Sequence, residues 1–212
     1  MQVFLAVIVG LPLTLLVTAA AFAIGLLGGI PLMLGLRSKH RIVRLSFRLI
    51  VDLIRGVPII VWLFLIYFGI AIGAFRFSSL AAAIVGLGLI SCAYLAEIYR
   101  GSFTTLPRGQ SEAAQALGLG GPTIFRRILA PQALQTAMPS LTTYLLALLK
   151  DSSIASTIGV LEMVGAATIY SRQHSGSDGL TPFLIAAGVY IVVSVPLAIV
   201  ARRLDSRMSR AR

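Results

Sequence analysis

Three sets of ionisable residues interrupt stretches of sequence that otherwise carry almost no charge. Lys150 and Asp151 are adjacent, Glu97 precedes Arg100 by three residues, and Glu162 follows Asp151 by eleven. Ionisable groups inside a membrane are costly, and they tend to mark substrate or ion pathways. The sequence therefore predicts that members of these sets line a polar path.

Each set also has a purely structural interpretation. Glu97 and Arg100 lie one helical turn apart, so they are expected to form an ion pair at a helix end. Adjacent residues do not share a helix face, so Lys150 and Asp151 cannot both point straight at one target. Either one faces the path while the other pairs with a neighbouring helix, or both belong to a structural ion pair between helices. Glu162 would return to the face of Asp151 if the helix continued, or it would be a solvated helix end.

The residues after Lys150 also permit a break in the helix. Asp151 and Ser152 are both residue types that cap helices, and a new helix could begin at Ser153. Such a break would direct free N–H groups at a substrate carboxylate, as broken helices do in other transporters. The candidate residues of the substrate path are Lys150, Asp151, Ser152, Ser153, Glu97 and Glu162.

The sequence contains no evident set of residues for catalysis or for metal binding. Cys92 is the only cysteine, and no glycine-rich phosphate-binding loop ending in Lys-Ser or Lys-Thr occurs. His40 and His174 fall on opposite sides of the membrane in the topology derived below. We therefore expect neither an enzyme nor a metalloprotein, and any ATP that is used is expected to be hydrolysed by a partner.

The composition and the charge-free runs indicate a membrane protein. Hydrophobic residues make up 58% of the chain and charged residues only 12%, whereas a soluble domain carries about a quarter charged residues. Five charge-free runs approach or exceed the roughly 18–20 residues that cross a bilayer as a helix. We predict an all-α polytopic membrane protein with a single domain over residues 1–212. Its predicted spans cover residues 5–36, 57–75, 77–99, 133–160 and 180–202.

The net charge of +11 predicts the orientation of these spans. Most lysines and arginines lie between spans one and two, between spans three and four, or after span five. Only Arg76 and Arg172 fall on the other side, and positive residues concentrate on the cytoplasmic side of membranes. The N-terminus is therefore predicted outside and the C-terminus in the cytoplasm. Because the cations are explained by topology, nucleic acid is not an expected partner.

The basic segment after span one has the pattern of a surface helix. Residues 37–56 read RSKHRIVRLSFRLIVDLIRG, in which Ile42, Leu45, Leu49 and Leu53 recur at helical spacing. We predict an amphipathic helix that lies along the cytoplasmic surface of the membrane and leads into span two.

A polar segment, residues 101–132, separates spans three and four. Ser111 is expected to cap a short helix over residues 112–117, which a glycine-rich turn then ends. Thr123 is expected to cap a second helical segment, and Pro131 marks the entry into span four. The alternative interpretation is an ordinary loop.

This polar segment carries a spaced motif whose members are Glu112, Ala113, Ala114, Gly118, Ile128 and Pro131. It resembles the EAA loop of ATP-binding-cassette (ABC) importer permeases. The family usually has leucine before the proline, where this sequence has Ala130, a small change. The flanking stretches DLIRGVPIIVWLFLIYFG, AEIYRGSFTTLPRGQ and LLKDSSIASTIGVLE are similar to the polar amino-acid permease branch of that family.

The resemblance implies a type I importer fold with five spans, in the cytoplasmic membrane of a bacterium. The motif residues would couple the permease to an ATPase through a cytoplasmic coupling helix over residues 112–117. The implied partners are two ATPase subunits that bind Mg-ATP, a second permease subunit, identical or paralogous, and an extracytoplasmic solute-binding protein. The permease itself would contain no cofactor and would contact membrane lipids. An ion-coupled secondary transporter or a channel subunit for small polar solutes is the alternative, and it would need the polar groups but not the loop.

Overall fold

Long helices account for most of the structure, a computed structural model that describes residues 1–72, 75–174 and 179–209. Two of them, α2 (Leu11–Leu36) and α5 (Ser79–Thr104), form the central pair. A Cβ atom added to Gly25 of α2 would lie 2.5 Å from Cβ of Ser91 in α5. The glycine therefore permits the close approach of the two helices, as small residues do in membrane bundles. A short helix, α1 (Gln2–Ile8), precedes α2.

The second predicted span is shorter than expected. Helix α3 (Arg41–Gly56) is followed by α4 (Ile59–Gly69), and the two axes are bent by 95°. The bend lies before Pro58, because a proline disfavours helical backbone in the residue that precedes it. After α4 the chain forms a small antiparallel hairpin of β1 (Ala71–Ile72) and β2 (Phe75–Arg76). The hairpin takes the place of the last helical turn predicted for span two.

The second half of the chain forms one long bent unit and a terminal helix. Residues Gly121–Ile158 run continuously through α-helical, π-helical and 3-10 turns, and a helix bent by 45° follows them. Between the predicted spans four and five the chain is therefore helical over Met163–Gln173. The elements in order are α6 (Gly109–Ala116), α7 (Gly121–Ile124), a π-helical turn (Phe125–Leu129), α8 (Ala130–Asp151), a 3-10 segment (Ser152–Ile158), α9 (Met163–Gln173) and α10 (Thr181–Ser209).

The described helices match a polytopic membrane protein. Three of them are long and apolar enough to cross a bilayer, and the number rises to five if each bent pair forms one span. Many large apolar side chains are exposed on the surface of the bundle, such as Leu27 at 74% and Val192 at 70%. The predicted all-α class is confirmed, with the two-residue strands as a minor exception.

Candidate functional site

The glycine turn of the cytoplasmic loop has the backbone conformation that its sequence predicts. Gly118 has φ of +76°, in the left-handed region that favours glycine. Its N–H donates to the carbonyl of Gln115 at 2.9 Å, and the N–H of Leu119 donates to the carbonyl of Ala114 at 3.1 Å. These two bonds form a Schellman motif, which satisfies the last carbonyls of α6 and ends the helix.

The two caps predicted for this loop are wrong. Helix α6 begins before Ser111, because its first turn already forms on the carbonyls of Pro107 and Arg108. The hydroxyl of Ser111 then donates back to the carbonyl of Arg108 at 2.9 Å, so it caps no N–H group. Thr123 lies inside α7, whose N-cap is Gly120.

Helix α6 rests on the protein through one small residue and leaves its other faces free. Ala114 is buried, whereas Glu112, Ala113 and Ala116 are exposed. Leu117 at the end of the helix is 80% exposed. A short helix that presents small residues and one large apolar side chain to its surroundings is suited to contact with another protein.

The loop is connected to the bundle through an aromatic stack and a polar bond. The rings of Phe103 and Phe125 stack with centroids 5.3 Å apart, and the guanidinium of Arg37 lies 4.2 Å from the ring centroid of Phe103. The Gln132 amide nitrogen donates to the Gln110 side-chain oxygen at 3.3 Å. These contacts join α6 and α7 to the ends of α2, α5 and α8. Sequence reasoning missed the stack because its members are far apart in the chain.

Ile128 and Pro131 stand where the loop enters α8. Ile128 is half-buried in the π-helical turn, and Pro131 is exposed in the first turn of α8. A proline removes one backbone donor from a helix, and the widened π-helical turn lies directly before it. The two residues therefore mark a local change of helical pitch between the loop and the span.

We call residues 150–153 the polar turn, and the helix does not break there in the way that the sequence permits. Ser152 and Ser153 donate their hydroxyls to the carbonyls three residues earlier, each at 2.7 Å. Such bonds tighten the helix and leave the N–H groups uncapped. The chain therefore continues as a 3-10 segment, and no new α-helix begins at Ser153. The helix ends only at Gly159, which has φ of +89°.

Lys150 and Asp151 lie on α8 about one turn beyond the last α8 residue that lines a groove between α8 and α10. This groove, the α8–α10 groove, has a volume of about 530 Å³, and its α8 wall includes Ser140, Thr143, Tyr144 and Ala147. Asp151 continues the row of Ser140, Tyr144 and Ala147 at spacings of three and four residues. By the same rule, Lys150 continues the row of Thr143 and Ala147. The two charges therefore extend the two edges of the wall.

Neither of these charges forms an ion pair within the described part of the chain, where the one ion pair found joins Glu97 and Arg100. Lys150 is exposed and Asp151 is half-buried. The expectation of a structural ion pair between spans is therefore wrong for contacts within this chain. Both residues lie inside the predicted fourth span, so the exposed ammonium and the half-buried carboxylate need polar surroundings from outside this chain.

The predicted pair of Glu97 and Arg100 is confirmed. Arg100 Nη2 lies 2.7 Å from Glu97 Oε2, and Arg100 Nε donates to both carboxylate oxygens at 3.0 and 3.1 Å. Both side chains are partly exposed near the cytoplasmic end of α5. The carboxylate of Glu97 is therefore engaged within its own helix.

Glu162 is neither a solvated helix end nor a member of the face of Asp151. Its side chain is fully buried and caps α9. The carboxylate accepts the N–H of Gly165 at 2.7 Å, the N–H of Val164 at 2.9 Å and the hydroxyl of Tyr190 at 3.1 Å. A carboxylate at a helix N-terminus satisfies free N–H groups and interacts favourably with the helix dipole.

The same bend is also fixed to the first span. The N–H of Met163 donates to the hydroxyl of Thr14 at 3.2 Å. A Cβ atom added to Gly10 would lie 2.5 Å from the carbonyl carbon of Glu162, so the two backbones are in close contact. We call Thr14, Glu162, Met163 and Tyr190 the α9 junction, which holds the start of α9 between spans one and five.

A second groove lies on the other side of the polar turn. This groove, the α9 groove, has a volume of about 480 Å³ and is formed by the 3-10 segment and α9. Its polar lining residues are Ser156, Thr157, Thr168 and Arg172. The two grooves therefore flank the turn that contains Lys150 and Asp151.

Comparison with known proteins gives consistent results over almost the whole chain. Residues 22–210 match the family model of the binding-protein-dependent transport system inner membrane component. The probable amino-acid permease protein YxeN of Bacillus subtilis is 34% identical, with 98% of this chain and 93% of that protein covered. The probable amino-acid ABC transporter permease protein YckA of the same species is 35% identical, with 95% and 88% covered.

A solved structure shows the same fold. One chain from a crystal structure of an amino acid ABC transporter with histidines superposes with a TM-score of 0.86 at 30% sequence identity. The match covers 95% of this chain and 94% of that chain.

Proposed function

The chain belongs to the family of binding-protein-dependent transport system inner membrane components, the ABC importer permeases, and we propose that its cargo is a polar amino acid or a close derivative. It is a multi-pass protein of the inner membrane with the type I importer fold. Members of this family work with ATPase subunits and binding proteins. The two Bacillus subtilis relatives are named as amino-acid permeases, which supports the proposed cargo.

The charges of the polar turn fit the proposed cargo. An amino acid carries a carboxylate and an ammonium, and Lys150 and Asp151 present the opposite charge to each of them. Within the described part of the chain neither side chain has an ion-pair partner that would compete. Ser152 and Ser153 instead use their hydroxyls within the turn, so we assign them to shaping it.

The two grooves supply the rest of the proposed path. The α8 residues of the α8–α10 groove precede the polar turn in the chain, and the residues of the α9 groove follow it. A second permease subunit, identical or paralogous, would cover them and complete the path between two copies. A solute-binding protein would deliver the substrate from the outer side of the membrane. The charge distribution predicts that α9 lies on that side.

Helix α6 is the proposed coupling helix. The single observation that carries this assignment is the free surface of α6, where Leu117 is 80% exposed beside Glu112 and Ala113. Two ATPase subunits that hold Mg-ATP would each receive one such helix in a groove. Closure of the ATPase pair would then move the loop, and the stack of Phe103 and Phe125 would transmit that movement to the spans.

Co-purification of the ATPase subunit tests this docking. Leu117→Asp should lower the amount of ATPase retained by about tenfold, because an apolar residue at the centre of a small interface carries much of its binding energy. Leu180→Asp is the matched control, since Leu180 is 68% exposed at the other end of the bundle. Wild-type retention in the Leu117→Asp variant would remove the docking assignment.

A further inference from the structure

We propose that α3 lies in the cytoplasmic headgroup region of the bilayer and binds anionic phospholipid through a row of arginines. The observations that carry this proposal are the division of α3 into three faces and its orientation relative to α4. The proposal does not depend on which solute the protein transports.

One face of α3 packs against the protein. Val51 and Ile54 are buried, and together with Phe47 they contact a cluster formed by the ends of α2 and α5. Trp62 of α4 donates its indole N–H to the carbonyl of Ile54 at 3.0 Å. These contacts fix the rotation of α3 about its own axis, so the directions of its other two faces are set.

A second face is apolar and has no partner within the described part of the chain. Ile42, Leu45, Leu49 and Leu53 follow one another at spacings of three and four residues, and between 56% and 82% of each is exposed. At about 100° per residue they form one continuous stripe. This stripe points away from the face that packs on α2 and α5.

A third face is basic and lies between the other two. Arg41, Arg44 and Arg48 recur at spacings of three and four residues and are all exposed, as is Lys39 just before the helix. Asp52 is the one acidic residue of α3. The surface that covers this face must therefore supply negative charge.

The orientation of α3 identifies the bilayer as that surface. Its axis is bent by 95° from that of α4, so α3 lies in the membrane plane when α4 runs along the membrane normal. Its length of about 24 Å, from 16 residues at 1.5 Å each, lies along the boundary between headgroups and acyl chains. A helix with an apolar stripe beside a basic row is suited to that boundary when the leaflet contains anionic lipid. A protein partner at this site would have to cover the apolar stripe and the basic row at the same time.

Quenching by brominated lipids tests the proposal directly. Trp62 is the only tryptophan, so Leu49→Trp combined with Trp62→Phe places one fluorophore on the apolar stripe of the full chain in nanodiscs. Each sample contains phosphatidylglycerol and phosphatidylcholine in equal amounts, with one of the two brominated. We expect brominated phosphatidylglycerol to quench at least about twofold more strongly, because the arginine row enriches anionic lipid beside the probe.

Two matched pairs of substitutions complete the test. Arg41→Gln with Arg48→Gln should lower the quenching ratio toward one, whereas Arg202→Gln with Arg203→Gln, which removes the same charge at the end of α10, should leave it unchanged. If the probe variant does not fold, Leu49→Trp with Trp62 retained gives the same ratio after subtraction of the parent signal. Equal quenching by the two lipids would overturn the proposal. Absence of quenching by either lipid would also overturn it, because the stripe would then be covered by protein.

Discussion

Asp151 and Lys150 are two charged residues of α8 that have no ion-pair partner among the described residues. If they bind substrate, Asp151→Asn should lower uptake by about tenfold and leave assembly intact, since a hydrogen bond to a charged group is worth about 1.5–3 kcal/mol. Uptake of labelled amino acid and size-exclusion chromatography would measure the two effects. Asp52→Asn is the matched control, because Asp52 is exposed on α3 and away from the turn.

The double substitution separates a substrate role from a structural one. Neither charge has an ion-pair partner among the described residues that its removal would leave unpaired, so Lys150→Met with Asp151→Leu should keep stability. On the proposed function it should nevertheless abolish uptake. Near-normal uptake by this double variant would count decisively against a substrate role for both residues.

Glu162 gives a second prediction for a single residue, concerning stability. In Glu162→Gln the amide nitrogen cannot accept an N–H, so one donor of the first turn of α9 loses its partner. We expect a loss of about 1–3 kcal/mol, seen as a lower midpoint of thermal unfolding in detergent. Tyr190→Phe removes only one of the three bonds and should have a smaller effect. An unchanged midpoint combined with lost uptake would show that the carboxylate acts on the substrate and not as a cap.

Local partners decided which residue roles the sequence could reveal. The pair of Glu97 and Arg100 was predictable because both residues lie on one turn of one helix. The role of Glu162 was not, because Tyr190 is 28 residues away and the bond of Met163 to Thr14 joins residues 149 apart. Ser152 and Ser153 are residue types that often cap helices. Only the structure shows that their hydroxyls donate to the carbonyls three residues earlier.

Secondary-structure elements were also predictable where the signal is local in the sequence. Long charge-free runs predicted the apolar helices, and the glycine of the cytoplasmic loop predicted the turn that ends α6. The apolar run of span two did not reveal that α4 ends at Gly69, since residues of a hairpin in a membrane protein are equally apolar. Helix α9 was not predicted, because its N-cap is Glu162, a residue type that is uncommon among caps.

The glycine turn that ends α6 can be tested by substitution of Gly118. Gly118→Asp places a side chain in left-handed backbone that favours glycine, and so disturbs the end of α6. Gly120→Asp introduces the same charge two residues later, at a position with ordinary φ and open space around it. We expect Gly118→Asp to lose uptake and substrate-stimulated ATP hydrolysis while the protein inserts normally, and Gly120→Asp to retain both.

Glu112→Lys should have the same effect as Gly118→Asp, because it reverses the charge in the first turn of α6 and on its free surface. ATP hydrolysis of the assembled complex, measured with and without binding protein and substrate, would report it. Full uptake in the Gly118→Asp variant would contradict the assignment of α6 to coupling.

The orientation of the whole molecule is open to a direct test. The charge asymmetry predicts that residues 100–134 are cytoplasmic and that the segment after α9 is outside. In a Cys92→Ser background, a membrane-impermeant thiol reagent added to intact cells should label Ser175→Cys, whose position lies outside the described residues, but not Ser111→Cys. Labelling at Ser111→Cys without labelling at Ser175→Cys would reverse the topology.

If this permease moves a polar amino acid by coupling to an ATPase, uptake must be driven by ATP and not by an ion gradient. The most direct measurement is uptake of labelled amino acids into vesicles that contain the chain with its co-purified ATPase subunit. We predict uptake that needs the ATPase, enclosed Mg-ATP and the binding protein, and that is unaffected when ion gradients are collapsed. Uptake that follows an ion gradient and persists without the ATPase subunit would contradict ATP-driven import.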